Sequence, residues 1–441
     1  MKFLIRYLKL FAMICILSFI CSPICFASSL DNVFVWSAEG DNITNSPDTI
    51  DNQNNNIETN ASSISSDENI INTVETSGDV IESTNSLTIE SGSGILIEQN
   101  SGKVLFEHNS HEQLRPASVT KVMTILLIME AIDSGKITLE DSVPCSENAS
   151  NMGGSQIWLD PKETLTVHEM LKAICVVSAN DCTVAMAEYL AGSEEAFVEQ
   201  MNSRASELGM NDTCFKNCHG LDEDGHLTSS FDISLMSREL LVNHPSITNY
   251  TTIWMDSLRD GKSELVNTNK LIRNYNGTTG LKTGSTSLAL YNLSASATRD
   301  NLSLIAVIMK APTTSIRFAD SQKLLNYGFS NYIYKSFGNK GDTVKNINVS
   351  KGISTTVEGI LENSSGVLLR KNDEQNVEQI INIPDITSAP IESGSILGKI
   401  EYKLNDEIIG SVNVVSKNSV KKIGFWTTTT HLLQNLFIRS K

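Results

Sequence analysis

The chain has 441 residues, with 51 acidic and 34 basic side chains and a formal charge of −17. That length exceeds one average domain and suffices for two folded ones. No basic patch suggests nucleic acid as a partner.

Lys2, Arg6 and Lys9 precede an apolar stretch from Leu10 to Ile24, broken at Pro23, and Cys25-Phe26-Ala27 supplies a small-x-small site. This is the pattern of a secretory signal peptide over residues 1–27, cut after Ala27. A retained anchor fits less well, because the apolar run is short for a membrane span. Ile20 before Cys21 and Ile24 before Cys25 are too bulky for a lipobox. The mature protein is therefore expected outside the cytosol.

Residues 28–88 read as an unfolded, Asn/Ser/Thr-rich linker. Twelve Asp and Glu and no Lys or Arg lie between Ser28 and Glu90. The whole chain carries −17, the leader +3 and this stretch −12, which leaves −8 for the rest. Most of the acidity thus sits in a segment with too little apolar surface to offset its ordering entropy. Of the eight cysteines, Cys15, Cys21 and Cys25 leave with the leader. Cys145, Cys175, Cys182, Cys214 and Cys218 remain, an odd number that demands at least one free thiol. Cys214 and Cys218 are close enough in sequence to pair, but unpaired buried thiols fit equally well.

Folded sequence is expected from residue 89. "GILIEQNSGKVLFEHN" places two apolar runs around Asn100-Ser101-Gly102, a β-hairpin signature. "RPASVTKVMTILLIMEAI", residues 115–132, predicts a helix with Pro116 before it, Ser118 in its first turn, and Val122, Ile125, Leu126 and Met129 on a core face. Further helices are predicted at Val167–Val177, Asp181–Ala191, Glu194–Leu208 and Phe231–Asn243. "LALYNLSASATRDNLSLIAVIMKA" predicts two strands turning at Arg299-Asp300-Asn301, and "SIRFADSQKLLNYGFSNY" a closing helix. Hairpin, helices, hairpin and helix describe an α+β domain over 89–335, a sheet flanked by helices. From about Gly341 the texture changes to short alternating strands with polar turns, Asn405-Asp406 joining the last pair. This predicts a small all-β domain over 340–420.

Residues 421–441, "KKIGFWTTTTHLLQNLFIRSK", close the chain. Phe425, Trp426, Leu432, Leu433, Leu436 and Phe437 can share one helix face, flanked by Lys421, Lys422, Arg439 and Lys441. Aromatic and basic residues clustered in this way suit a helix lying in the membrane interface. A terminal helix docked on the last domain is the other reading, and four consecutive threonines push the amphipathic part toward Thr430.

Three short motifs carry chemistry. Ser118 and Lys121, at i and i+3, share a helix face. Serine is a weak nucleophile without a base, and lysine serves as one when burial or nearby positive charge lowers its pKa. Alone, S-x-x-K more often reads as a helix cap and a solvated lysine. "VVSANDCTVAMAEYL" then places Ser178-Ala179-Asn180 in a loop between two apolar helices, able to aim a hydroxyl and a carboxamide into a cleft while Asp181 caps the next helix. "GLKTGST", residues 280–286, puts Lys282, Thr283 and Gly284 just before a strand expected around Leu288–Leu293, an edge strand of the kind that can pair with an extended peptide. Lys282 and Thr283 offer a cation and a hydroxyl to a terminal carboxylate, and Gly284 allows a substrate backbone to approach. The motifs run in order, the second 60 residues after the first and the third 104 after the second.

With these three motifs the sequence resembles the penicillin-binding proteins, most closely the low-molecular-mass D-alanyl-D-alanine carboxypeptidases of peptidase family S11. The resemblance spans about residues 90–420. It extends to the opening hairpin, to "GGSQIWL" (residues 153–159) as a loop lining the site, and to the Asn-x-His-Gly-Leu segment within "FKNCHGLDEDGHLTSSFDISLMSREL". It implies a β-lactamase/transpeptidase-like catalytic domain, a β-rich C-terminal domain and an amphipathic membrane anchor. It also implies a serine enzyme needing no metal or cofactor, acting on peptidoglycan stem peptides that end in D-Ala-D-Ala and acylated by β-lactams. By position, Ser118 would be the nucleophile and Lys121 its base. Ser178 would relay a proton to the leaving amine and Asn180 hold the acyl side chain. Lys282, Thr283 and Arg317 would bind the carboxylate, and the backbone N–H groups of Ser118 and Ser285 would form the oxyanion hole. The linker before residue 90 departs from a minimal member and bears on tethering.

Alternatives are weighed on the same residues. Cys214, Cys218, His219 and His226 fit no common zinc spacing. A class A β-lactamase shares the motifs but needs a glutamate on a loop between the second and third, and Glu223 lies inside the Asn-x-His-Gly-Leu segment instead. A DD-endopeptidase acting on cross-linked peptidoglycan would use the same residues. A non-catalytic wall-bound scaffold would be expected to have lost some of them.

Overall fold

The computed structural model describes residues 87–424. The expected signal peptide, nearly all of the linker, and the tail from residue 425 lie outside the described residues.

Strands β1 (Ser93–Glu98) and β2 (Val104–His108) form the opening hairpin. Strands β3 (Thr278–Thr286), β4 (Leu290–Arg299) and β5 (Leu302–Ala311) complete an antiparallel sheet in the order β2-β1-β5-β4-β3. The β4–β5 turn is two residues, Asp300 and Asn301, at φ 48° and 66°. Paired left-handed residues match the twist of the flanking strands, which is why Asp and Asn stand there. The apolar runs of β1 and β5 are buried on both faces. Ile95, Ile97, Ile305, Val307 and Met309 face a large helical cluster, while Leu96, Leu304, Ala306 and Ile308 pack with Leu324 and Leu325 of a closing helix.

The helical cluster is built around α1 (Lys121–Asp133), which follows a 3₁₀ turn at Ala117–Thr120. One core-facing side was expected of this helix. Instead Lys121 to Leu126, Ile128, Met129 and Ala131 are all buried. The helix is apolar nearly all round because neighbours cover every side. Around it lie α2 (Val167–Val177), α3 (Asn180–Ala191), α4 (Glu194–Glu207) and α5 (Ser230–Asn243). Helix α2 opens with a reciprocal capping box between Thr166 and Glu169, an arrangement that satisfies two orphan donors.

Helix α6 (Thr314–Asn331) covers the other sheet face and runs directly into β6 (Tyr332–Gly338). That strand crosses the expected 335–340 boundary and pairs with β7 (Ser365–Arg370) of the C-terminal β-rich part. A further six-stranded sheet follows, with cores around Tyr402 and Val414 and around Ile347 and Val357. Tyr332, Tyr334 and Leu368 pack against the Leu96–Leu304 cluster, so apolar surface links the two parts. Among the described residues no helix is long and apolar enough to cross a membrane.

Candidate active site

The cleft lies where the open edge of the sheet, strand β3, meets the start of α1 and the α2–α3 junction. Register fixes what β3 presents. Lys282 lies opposite Ser294 and Gly284 opposite Asn292. Ser294 bonds Ser237 of α5, and Asn292 Nδ2 donates to Arg115 O beside the 3₁₀ turn. Lys282 and Gly284 therefore face the helical cluster. A Cβ at Gly284 would lie 2.8 Å from Val119 N and 2.9 Å from both Pro116 O and Ser118 N. The close approach expected of a substrate backbone is already made by the turn that carries Ser118. Just before that serine, Ala117 stands at φ 49°, a region costly for a residue with a Cβ.

Lys121 is fully buried, and its Nζ lies 3.0 Å from Ser118 Oγ, 2.6 Å from Asn180 Oδ1 and 2.6 Å from His219 O. Burial first, and then the positive charge of Lys282, holds its pKa well below the ordinary lysine value. A neutral amine has two protons and one lone pair. The amide and carbonyl oxygens only accept, so in the neutral form they would take the two protons and leave the lone pair for the Ser118 hydroxyl, to which Nζ donates when it is charged. Asn180 is oriented for this: its Nδ2 donates to Gly153 O at 2.7 Å, which turns Oδ1 toward Lys121.

Ser178 ends α2 at φ 65° and ψ 35°, a second non-glycine residue in the left-handed region. Its Oγ is buried and has no hydrogen-bond partner among the described residues. Asp181 does not cap α3, as expected from sequence. Ala179 occupies the cap position, and the buried Asp181 carboxylate accepts from Ile157 N and Leu159 N, each at 3.1 Å. Together with Asn180 N donating to Ser155 O at 2.7 Å, this laces the 153–159 loop onto the α2–α3 junction. Arg259 holds the same loop from outside through Ile157 O and Glu163. Trp158, at φ 60°, projects into solvent between these clamps.

Lys282 is also buried, and burial followed by the nearby Arg317 pushes its pKa down to about 7. Its Nζ donates to Thr283 O at 2.8 Å. Arg317 is buried beneath β3 and β4, with Nη1 3.3 Å from Gly284 O and from Asn292 O and the guanidinium over the Phe318 ring. Ser285 is exposed beyond Gly284.

Residues in and after the Asn-x-His-Gly-Leu segment, none of them assigned an individual role from sequence, build the wall beside Lys121. His219 contributes its main-chain oxygen. Its ring is neutral, pushed down to about 3 chiefly by burial, and Nδ1 accepts from Leu221 N at 3.1 Å. His226 accepts from Lys216 N at Nδ1, so its Nε2 carries the proton that it donates to Thr120 Oγ1 at 2.8 Å. Glu223 accepts from Asn217 Nδ2, bracing the loop it belongs to. Gly220, at φ 90°, passes so close to the 3₁₀ turn that a Cβ would sit 2.0 Å from Ala117 O. All five cysteines in the described residues are free, and only Cys214 is exposed.

An antiparallel sheet covered by helices, with a serine and a buried lysine in the cleft beside its edge strand, defines a serine enzyme of the penicillin-binding type. A family model described as D-alanyl-D-alanine carboxypeptidase matches residues 80–313, and one described as the penicillin-binding protein 5 C-terminal domain matches residues 332–422. The chain is 45% identical to the D-alanyl-D-alanine carboxypeptidase DacF of Bacillus subtilis over 78% of its length and 89% of that protein's. Among solved structures it resembles penicillin-binding protein 5 of Haemophilus influenzae, with a TM-score of 0.65 and 30% identity over 76% of this chain and 98% of that one. It also resembles penicillin-binding protein D2 of Listeria monocytogenes in an ampicillin-bound form, with a TM-score of 0.51 and 29% identity over 55% of this chain and 99% of that one. The chain belongs to the D-alanyl-D-alanine carboxypeptidases of family S11, the low-molecular-mass penicillin-binding proteins. It is a serine-type carboxypeptidase, a hydrolase.

Proposed function

We propose that this enzyme removes the terminal D-alanine from peptidoglycan stem pentapeptides through an acyl-enzyme on Ser118, and thereby limits cross-linking. The observation that carries the reading is the placement of Lys121: its Nζ lies 3.0 Å from Ser118 Oγ, and burial and then Lys282 lower its pKa toward the neutral amine that a base requires.

In the first step Ser118 Oγ attacks the carbonyl carbon between the two D-alanines, and its proton passes to Lys121. The oxyanion is received by the backbone N–H groups of Ser118 and Ser285. The C–N bond then breaks, D-alanine leaves, and its amine takes a proton relayed through Ser178. Water, deprotonated by Lys121 with Ser178, next attacks the ester and restores Ser118. Asn180 holds Lys121 and lines the acyl side of the cleft. Lys282 and Thr283 orient the terminal carboxylate, with Gly284 keeping β3 against the nucleophile turn and the Arg317 charge behind them.

A β-lactam places an amide and a carboxylate in the same arrangement. After ring opening its leaving group stays tethered, so the ester persists. The ampicillin-bound Listeria relative supports this susceptibility. In the same reading, the chain is exported by residues 1–27, spaced by residues 28–88, and divided into a catalytic part over 89–335 and a β-rich part over 340–420. Residues 421–441 attach it peripherally to the outer face of the cytoplasmic membrane.

The test is release of free D-alanine from a pentapeptide ending in D-Ala-D-Ala by the purified mature protein. Ser118→Ala is expected to abolish release and covalent labelling by a fluorescent penicillin together. Cleavage of cross-linked muropeptides without pentapeptide turnover would reassign the enzyme as an endopeptidase.

A further inference from the structure

One hydroxyl in the cleft has no role in the scheme above. Thr268 is the middle residue of Asn267-Thr268-Asn269. The two asparagines are 4% and 1% exposed. Asn267 is committed to main chain through both ends of its amide and Asn269 through its Oδ1, its Nδ2 having no partner among the described residues. Asn267 Oδ1 accepts from Asn269 N at 2.8 Å and its Nδ2 donates to Ile253 O at 2.8 Å, while Asn269 Oδ1 accepts from Leu271 N at 3.1 Å. Thr268 itself is exposed. Its N–H donates to Val176 O, two residues before Ser178. Locked on both sides and tied to the end of α2, it presents its side chain at one place, and that place is Thr283: the two Oγ1 atoms are 2.6 Å apart.

Two hydroxyls at this distance share one proton, so one donates and the other accepts. Their separation is close to that of the two oxygens of a single carboxylate. Thr283 is nearly buried, so the solvent side of the pair belongs to Thr268. Lys282 sits one residue away along β3, with Nζ on Thr283 O, and Arg317 underlies the same strand at Gly284 O. An anion entering here meets cations behind and two hydroxyls in front. A carboxylate accepts only. Both hydroxyl protons can then turn to it, exchanging one neutral hydrogen bond for two charge-assisted ones.

We propose that Thr268 determines specificity for a free terminal carboxylate, its hydroxyl pairing with that of Thr283 to hold the two carboxylate oxygens. The inference rests on the reading of Thr283 as a carboxylate ligand, so its test avoids turnover. In the Ser118→Ala protein, which cannot form an ester, Kd is measured by calorimetry for a peptide ending in D-Ala-D-Ala and for the same peptide with its terminal carboxyl amidated. Thr268→Val keeps the shape and removes the hydroxyl. It is expected to weaken the acid by about 10- to 100-fold, the range for a hydrogen bond to a charged group, and to leave the amide within about twofold. Thr268→Ser is expected to restore the acid, and thermal unfolding of all variants should coincide. Equal weakening of acid and amide, or no change in either, would overturn the proposal. In the Ser118-intact enzyme, absence of D-alanine release would count against the carboxypeptidase reading alone.

Discussion

At the scale of single residues, the proposed mechanism asks opposite protonation states of two buried lysines. Lys121 must be neutral to accept a proton, and both burial and Lys282 drive it there. Lys282 must be charged to attract a carboxylate, yet burial has brought it down to about 7. The sign follows for each limb of a pH profile. As pH falls, Lys121 gains a proton and acylation is lost. As pH rises through about 7, Lys282 loses its charge and kcat/KM for a free-acid peptide declines. Bound carboxylate favours the charged form, so the same limb should lie at higher pH in kcat than in kcat/KM. Stopped-flow acylation across pH 5–9, read against steady-state kcat, checks both. Ser118, Lys121, Ser178, Asn180 and Lys282 stand out in the sequence because their side-chain chemistry recurs at recognisable motifs, and the fold brings Ser118 and Asn180 directly onto Lys121. His219 was not legible as a functional group, since it contributes a carbonyl oxygen that any residue carries. Thr268 was equally hidden, since a lone threonine in a loop has meaning only once the fold brings it to Thr283.

At the scale of elements, the main helices and the strands of the two hairpins were legible because each has a clear period and clear ends, and α2 was placed at its observed bounds. Strand β3 was not, because its polar, Gly-rich run reads as the approach to a strand at Leu288–Leu293, whereas Thr278–Thr286 is itself the edge strand. The reach of α1 into the core was not, because burial on all sides depends on partners distant in sequence. Asp181 was read as a cap, since an acidic residue at a helix start usually is one, but its carboxylate instead holds the 153–159 loop. Asp181→Asn leaves a single acceptor oxygen for those amides and is expected to cost about 1–3 kcal/mol. It should also free Trp158, so its effect should appear as altered tryptophan emission and faster quenching by acrylamide, with a raised KM. Gly220 is the other element-level constraint. An alanine there must take a left-handed conformation and place a methyl within 2.0 Å of Ala117 O. Gly220→Ala is expected to lose about 2–4 kcal/mol in denaturant unfolding and to slow penicillin labelling, because the strand of motion available is the nucleophile turn itself.

At the scale of the whole molecule, two neutral histidines link stability to acidity. Burial, the leading cause for both, pushes His219 down to about 3 and His226 to about 4. In the unfolded chain each titrates near about 6.5. Below that pH the unfolded state binds protons that the folded state refuses, so stability falls as pH drops from about 6.5 toward these depressed values. Ordinary carboxylates hardly titrate between pH 7 and 5.5, so thermal unfolding across that window should show a declining Tm. The two-part organisation was legible from the change in strand texture near residue 341. The exact seam was not, because Tyr332–Gly338 continues a helix in sequence while pairing as a strand with Ser365–Arg370.

The strand order sets a schedule for how the enzyme comes into being. Strand β1 lies between β2 and β5, with Ile95 opposite Val307. A chain that emerges N-terminus first presents the opening hairpin early, but β1 has no inner neighbour until Leu302–Ala311 has followed. Strand β3, which carries Lys282, reaches β1 only through β4 and β5. Ser118 can thus have emerged long before the edge strand is joined to the sheet that faces it. Until Leu302–Ala311 has followed, the central pairing of β1 cannot form, so the two sides of the cleft meet only after nearly the whole of the sheet-forming sequence has been made.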